Sequence, residues 1–78
     1  MTCEICGGIA TDTHEVFEGC RRKKSIQYGL QMKLCRICHI RIQNDIEFAL
    51  PYKKKYQQMF IDQYGWDLWW KEMGKSWI

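Results

Sequence analysis

The sequence contains no apolar run near the roughly 20 residues that a bilayer-spanning helix needs, so a membrane partner is not expected. It has no internal repeat and no low-complexity linker, and its 78 residues are enough for one domain. Proline is almost missing: Pro51 is the only one, and it is expected to end or interrupt a helix. Histidine is nearly as scarce, with only His14 and His39. Only Met1 and Thr2 precede Cys3, so no secretory signal is expected and the chain is assigned to a reducing cytoplasm. Charge is nearly balanced, at a formal +3.

What is present is apolar, aromatic and thiol-rich. Trp66, Trp69, Trp70 and Trp77 argue against a disordered tail. A core this small barely offsets chain entropy, which costs about 1.5 kcal/mol per ordered residue. Domains of this size commonly add disulfides or a metal. The five cysteines decide between them. Cys3 and Cys6 form one Cys-x-x-Cys pair, Cys35 and Cys38 a second, and Cys20 is left over. A disulfide framework normally has an even count and wider spacing. Two thiolates from each of two tight turns make a tetrahedral set for structural Zn2+. His39 or Cys20 can replace one thiolate, but the paired spacing already fills the site. Bound zinc contributes about 10–16 kcal/mol to folding in small peptides.

The residues around these pairs predict the elements. Gly7 and Gly8 permit the tight turn after Cys6. Residues 13–17 and 30–34 read as strands, with Leu30, Met32 and Leu34 on one face. Between them Ser25 is expected to cap a helical turn that Gly29 ends. A helix is predicted over 38–50 and another over 52–64, with Tyr52, Tyr56, Met59, Phe60 and Tyr64 along one face. Asp67 is expected to cap a short third helix that Gly74 ends. A knuckle, a hairpin and a knuckle opening a helix is the treble-clef pattern. The expected fold is a small α+β zinc-binding domain, with a treble-clef or ββα-metal core over 1–50 and a helical extension over 51–78.

Two further groups point to chemistry. Arg21, Arg22, Lys23 and Lys24 form a basic run, and Lys53, Lys54 and Lys55 a second cluster. Basic patches favour anionic partners, nucleic acid first, although a solvated helix face reads the same way. His14 on the first strand and His39 after the last cysteine face each other if the hairpin packs beside the helix. Two imidazoles and a carboxylate can hold a divalent ion against a phosphate.

The ordered set Cys3-x-x-Cys6-Gly7, His14-Glu15-Val16-Phe17-x-Gly19, Arg22, Ser25, Tyr28-Gly29-Leu30 and Leu34-Cys35-x-x-Cys38-His39 resembles the His-Asn-His (HNH) endonuclease superfamily. It is most similar to the small zinc-containing HNH-like proteins of phages and prophages. The resemblance covers the first half in detail, and the tail ending Gly74-Lys75-Ser76-Trp77 in general character. It implies a metal-dependent endonuclease acting on DNA more than RNA, in a bacterial host or phage-infected cell. In that family the first residue of a strand pair binds the metal, the second activates water, and the histidine after the last cysteine is another ligand. Carried over, His14 and His39 are ligands of a second divalent metal such as Mg2+, and Glu15 is the base. The other register puts Thr13 at the ligand position and makes His14 the base. Arg21, Arg22, Lys23 and Lys24 would engage phosphates.

The sequence departs from the family in three places. Glu15 replaces the usual histidine, Gly29 or Leu30 stands where an asparagine is expected, and the helix offers only Gln43, Asn44 and Asp45 as a further ligand. Of these, Asp45 is the hard-metal ligand. An alternative therefore stays open: a catalytically inactive zinc-finger module that binds nucleic acid or a host protein. A phage-encoded inhibitor using the aromatic tail is one form of it.

Overall fold

The computed structural model describes all 78 residues. Strands β1 (Asp12–Glu15) and β2 (Gln31–Leu34) pair antiparallel, with His14 opposite Met32. A 3-10 turn over Gly19–Arg21 and helix α1 (Arg22–Gln27) fill the connection between the strands. Helices α2 (Arg36–Asn44), α3 (Ile46–Tyr64) and α4 (Trp66–Met73) follow. The chain is a small α+β domain with one two-stranded sheet. No helix is long and apolar enough to cross a membrane.

The alternation in 30–34 buries Leu30, Met32 and Leu34 against the helices. The first strand is shorter than its sequence suggests. Val16 still donates its N–H to Leu30 O at 3.0 Å, but Phe17 leaves the ladder. Ser25 explains why. It does not cap a helix; it sits inside α1, fully buried, and its Oγ accepts from Phe17 N–H at 3.1 Å. The same hydroxyl donates to Phe17 O at 2.8 Å. One side chain thus satisfies both backbone groups of a residue that has no strand partner. Gly29, at φ +70°, then turns the chain into β2.

The helical half breaks at a different residue from the one expected. Pro51 lies inside α3, and the break falls at Asp45, whose backbone is extended (φ −125°, ψ 102°). Its carboxylate accepts from Phe48 N–H at 3.1 Å, which starts α3 with a capped N-terminus. Proline removes one helical hydrogen bond, a loss of about 3 kcal/mol in an isolated helix. Burial of Ala49, Tyr56, Phe60 and Ile61 along the same helix offsets it. The α3 stripe is also rotated from the expected face. Met59 and Tyr64 are about half exposed, and Gln57 is fully buried instead. Gln57 donates to Ser76 Oγ and accepts from Trp77 N–H, both at 2.8 Å, latching the C-terminal tail onto α3.

Gly65 stands at the start of α4 with no side-chain cap, and Asp67 falls within the first turn rather than before it. There its charge suits the helix dipole. Trp69 is completely buried and packs edge-on against both Phe17 and Phe60 at 5.3 Å. One hydrophobic core therefore runs from Cys3 to Met73.

Candidate metal centre and histidine groove

The Sγ atoms of Cys3, Cys6, Cys35 and Cys38 all lie within 4.8 Å of one another. Two loops bring them there. Gly7, at φ +79°, lets the first loop fold so that Gly8 N–H donates to Cys6 Sγ at 3.4 Å. At the second, Cys35 caps α2 and accepts from Cys38 N–H at 3.4 Å. Glu4 fastens the first loop to the body, accepting from Lys33 N–H at 2.7 Å and from the Tyr56 hydroxyl at 2.8 Å. Burial and the Glu4 carboxylate hold the Tyr56 phenol protonated.

The donor set fits a tetrahedral metal. A zinc–sulfur bond near 2.3 Å requires sulfurs about 3.8 Å apart. Cys6 Sγ and Cys35 Sγ are 3.7 Å apart. The thiols also differ in ease of ionisation. The N–H groups of the knuckle, that of Cys6 first, draw the Cys3 thiol down to about 6. Burial, then the neighbouring cysteines, push Cys38 up to about 12. A cation removes that conflict, since a coordinated thiol gives up its proton outright. The four cysteines are thus positioned to hold a metal ion. Cys20 is exposed, outside the tetrad, 3.8 Å from an Arg21 guanidinium nitrogen.

Cys38 and His39 are consecutive at the start of α2, so their side chains diverge by about 100° around the helix. Cys38 turns into the tetrad and His39 into a separate groove of about 370 Å³. Thr13, His14, Glu15, Glu18, Arg22, His39 and Gln43 line it, and none of them is apolar. The His14 and His39 rings meet edge to face at 5.3 Å. His14 is 2 % exposed, and burial lowers its pKa to about 4, helped by nearby His39 and Lys53 and opposed by Glu15. It is neutral at pH 7. Its Nε2 lies 3.6 Å from Glu18 Oε1.

Asp12 supports the groove through His39 without lining it, and sequence reasoning passed over it. Its Oδ2 is 2.9 Å from His39 Nδ1. An ionised carboxylate only accepts, so Nδ1 carries a proton, and in the neutral ring Nε2 is the nitrogen with the free lone pair. Arg36 donates to the same carboxylate at 2.8 Å. Arg36 first, and then His39, hold the Asp12 carboxyl well below the usual range. The signal was strand alternation: Asp12 and His14 are two residues apart on one face of β1.

The remaining expected residues divide. Glu15 lines the groove and is 3.5 Å from Arg22 Nε. Of the basic run, only Arg22 lines the groove; Lys23 is exposed on α1. Arg21 donates to Met73 O at 2.9 Å, and Lys24 pairs with Glu72 of α4. That pairing raises the Lys24 pKa and lowers that of Glu72. Half of the run thus ties α1 and the turn before it to the C-terminal helix. Among the candidate helix ligands, Gln43 lines the groove, Asn44 donates to Ile40 O at 2.8 Å, and Asp45 is spent as the α3 cap. The cysteine tetrad is the one group of three or more His, Cys, Asp or Glu whose ligand atoms converge. Comparison of the chain with family models, curated proteins and solved structures finds no match.

Proposed function

We infer that the cysteine tetrad holds one structural Zn2+ in a treble-clef frame, and that the groove beside it hydrolyses phosphodiester bonds in nucleic acid, DNA more than RNA, in the manner of HNH endonucleases. The observation that carries this reading is the pair of histidines meeting at 5.3 Å in a wholly polar groove, one of them oriented by a carboxylate. A carboxylate on the far ring nitrogen is the usual support of a metal-binding or proton-transferring imidazole. His14 and His39 would hold a divalent ion such as Mg2+, with the Glu18 carboxylate 3.6 Å from His14 Nε2. Bound there, the ion supplies positive charge to the phosphate oxygens and to the attacking water.

The chain's own residues do the rest. Asp12 fixes the His39 tautomer and ring orientation. His14, buried and neutral, presents a lone pair rather than a charge at pH 7. Glu15 accepts the proton of the attacking water, and Arg22 steers its carboxylate while facing the phosphate. A second reading draws on a different observation: no third ligand converges on the two histidines. On that reading the groove binds a phosphate, or a host protein, without cutting.

Plasmid nicking separates the two. The hydrolysis reading expects nicking with magnesium or manganese, abolished by His14→Ala and by His39→Ala while zinc content stays unchanged. If the wild-type protein cuts nothing with magnesium, manganese, nickel or zinc, the binding reading replaces it.

A further inference from the structure

A second pocket, about 220 Å³, opens beside the polar groove. Ile42, Ile46, Ala49, Leu50 and Trp77 give it an apolar lining, and Lys53 adds a charge. Glu18 and Gln43 line both cavities, so the two adjoin. Ile46 is 85 % exposed, with nothing of this chain covering it.

Trp77 is also where three cations converge. Arg21, Lys53 and Lys75 place their charges 5.6, 5.5 and 5.2 Å from its ring. They come from the turn before α1, from α3 and from the tail, so the chain's fold gathers them. None of the three makes an ion pair with a carboxylate. Three gathered cations against the single carboxylate of Glu18 leave the pocket net positive, which favours a negatively charged ligand. The indole and the isoleucines beside them favour a flat apolar one. An unpaired nucleotide has both parts, a base with a π-face and a phosphate on either side.

We propose that the Ile42–Trp77 pocket receives one unpaired base of a single-stranded nucleic acid, with Lys53 and Lys75 on its flanking phosphates. The proposal rests on the phosphodiester reading of the adjoining groove, which would hold the next phosphate along the strand. It makes the substrate class single-stranded or locally unpaired nucleic acid. A base inside a duplex reaches such a pocket only by leaving its stack, which costs a few kcal/mol. Gln43 and Glu18, at the boundary between the cavities, offer donors and acceptors to the base edge.

Fluorescence anisotropy tests this with a labelled oligothymidylate and a duplex of equal length, in buffer without divalent metal so that nothing is cut. The single strand should bind about tenfold or more tightly than the duplex, the scale of one base–aromatic stack. The double variant Lys53→Ala, Lys75→Ala should weaken single-strand binding and reduce its salt slope by about 1.4, or 0.7 for each phosphate left without its lysine. Both lysines lie outside the core, so the variant should keep its zinc and its circular dichroism. Trp77→Leu, checked in the same way, should lose the strand preference. Equal affinity for strand and duplex, no binding of either, or an unchanged slope in the lysine variant overturns the proposal. Equal displacement by polyglutamate also overturns it and identifies the partner as an acidic protein. A protein that binds single strands as expected but nicks nothing keeps the base pocket and loses hydrolysis. One that nicks plasmid while failing the strand test keeps hydrolysis and loses the pocket.

Discussion

The cysteine tetrad and the histidine groove share the first turn of α2, yet they are built on opposite principles. The tetrad takes four like donors from two tight loops, and their sulfurs converge to within 4.8 Å. The groove gathers unlike groups from β1, α1 and α2, leaves them around an open space of about 370 Å³, and closes no ligand set. A convergent site of one donor type holds a fold together. An open one with mixed charges has room for a substrate. Consecutive residues, Cys38 and His39, serve one each, so damage to the two sites should be separable by substitution.

The largest effect should come from the tetrad. Cys35→Ser should abolish metal binding and unfold the domain, removing most of the roughly 10–16 kcal/mol that structural zinc contributes in small domains. Metal analysis with far- and near-UV circular dichroism checks this. A folded Cys35→Ser protein would make the tetrad ornamental and erase the contrast. Next is the groove's support. Asp12→Asn keeps the size of the side chain but lets the amide donate to His39, which disfavours the working tautomer. On the hydrolysis reading, nicking should fall by roughly 10–100-fold, the loss seen when a metal-ligating histidine is deprived of its carboxylate, with zinc retained. Unchanged nicking in Asp12→Asn would mean that His39 needs no orienting carboxylate.

Ser25 lies in neither site and gives a scale for both. Ser25→Ala strands the buried N–H and C=O of Phe17, each a loss of about 1–3 kcal/mol. Urea denaturation should register it without any change in metal content.

Acid should act on the groove as well as on the metal. The folded pKa of His14 is about 4, below its ordinary value, so the unfolded chain takes up a proton first as pH falls. The resulting stability is fully present above about pH 6.5 and is lost as pH drops through 4. Denaturation midpoints measured between pH 7 and 4.5 should fall, and His14→Gln should flatten part of that fall. The remainder belongs to protonation of the thiolates. The smallest effect is expected at Cys20, exposed and outside the tetrad, where Cys20→Ser should leave zinc content and stability unchanged.

The two sites also differ in how far the sequence revealed them. A metal knuckle is encoded locally: two residues between cysteines, a glycine after them, and the ligands can be named from spacing alone. The β2 face was equally plain in Leu30, Met32 and Leu34, because alternation and burial agree there. The groove depends on partners distant in the chain. Asp12 and His39 are 27 residues apart, and no pattern in the sequence joins them. The same holds for Ser25, which looks like a cap until Phe17, eight residues back, is seen to need its hydroxyl. Pro51 misled for a related reason. A proline breaks an isolated helix, but α3 is held by a buried face that local preference does not record, and Asp45 had the cap chemistry to break the chain earlier. The basic run at Arg21, Arg22, Lys23 and Lys24 reads as one patch in sequence, while folding commits Arg21 and Lys24 to α4.

The most direct test of the whole account is the near-UV circular dichroism spectrum of the protein as metal is withdrawn by a strong chelator. Trp69 and Phe17 are completely buried in a core that also contains Cys3 and Cys38, so their spectrum reports whether that core survives. The account predicts loss of the aromatic signal together with release of about one zinc per chain, and recovery of both when zinc is restored. An aromatic signal unchanged in the metal-free protein would contradict it.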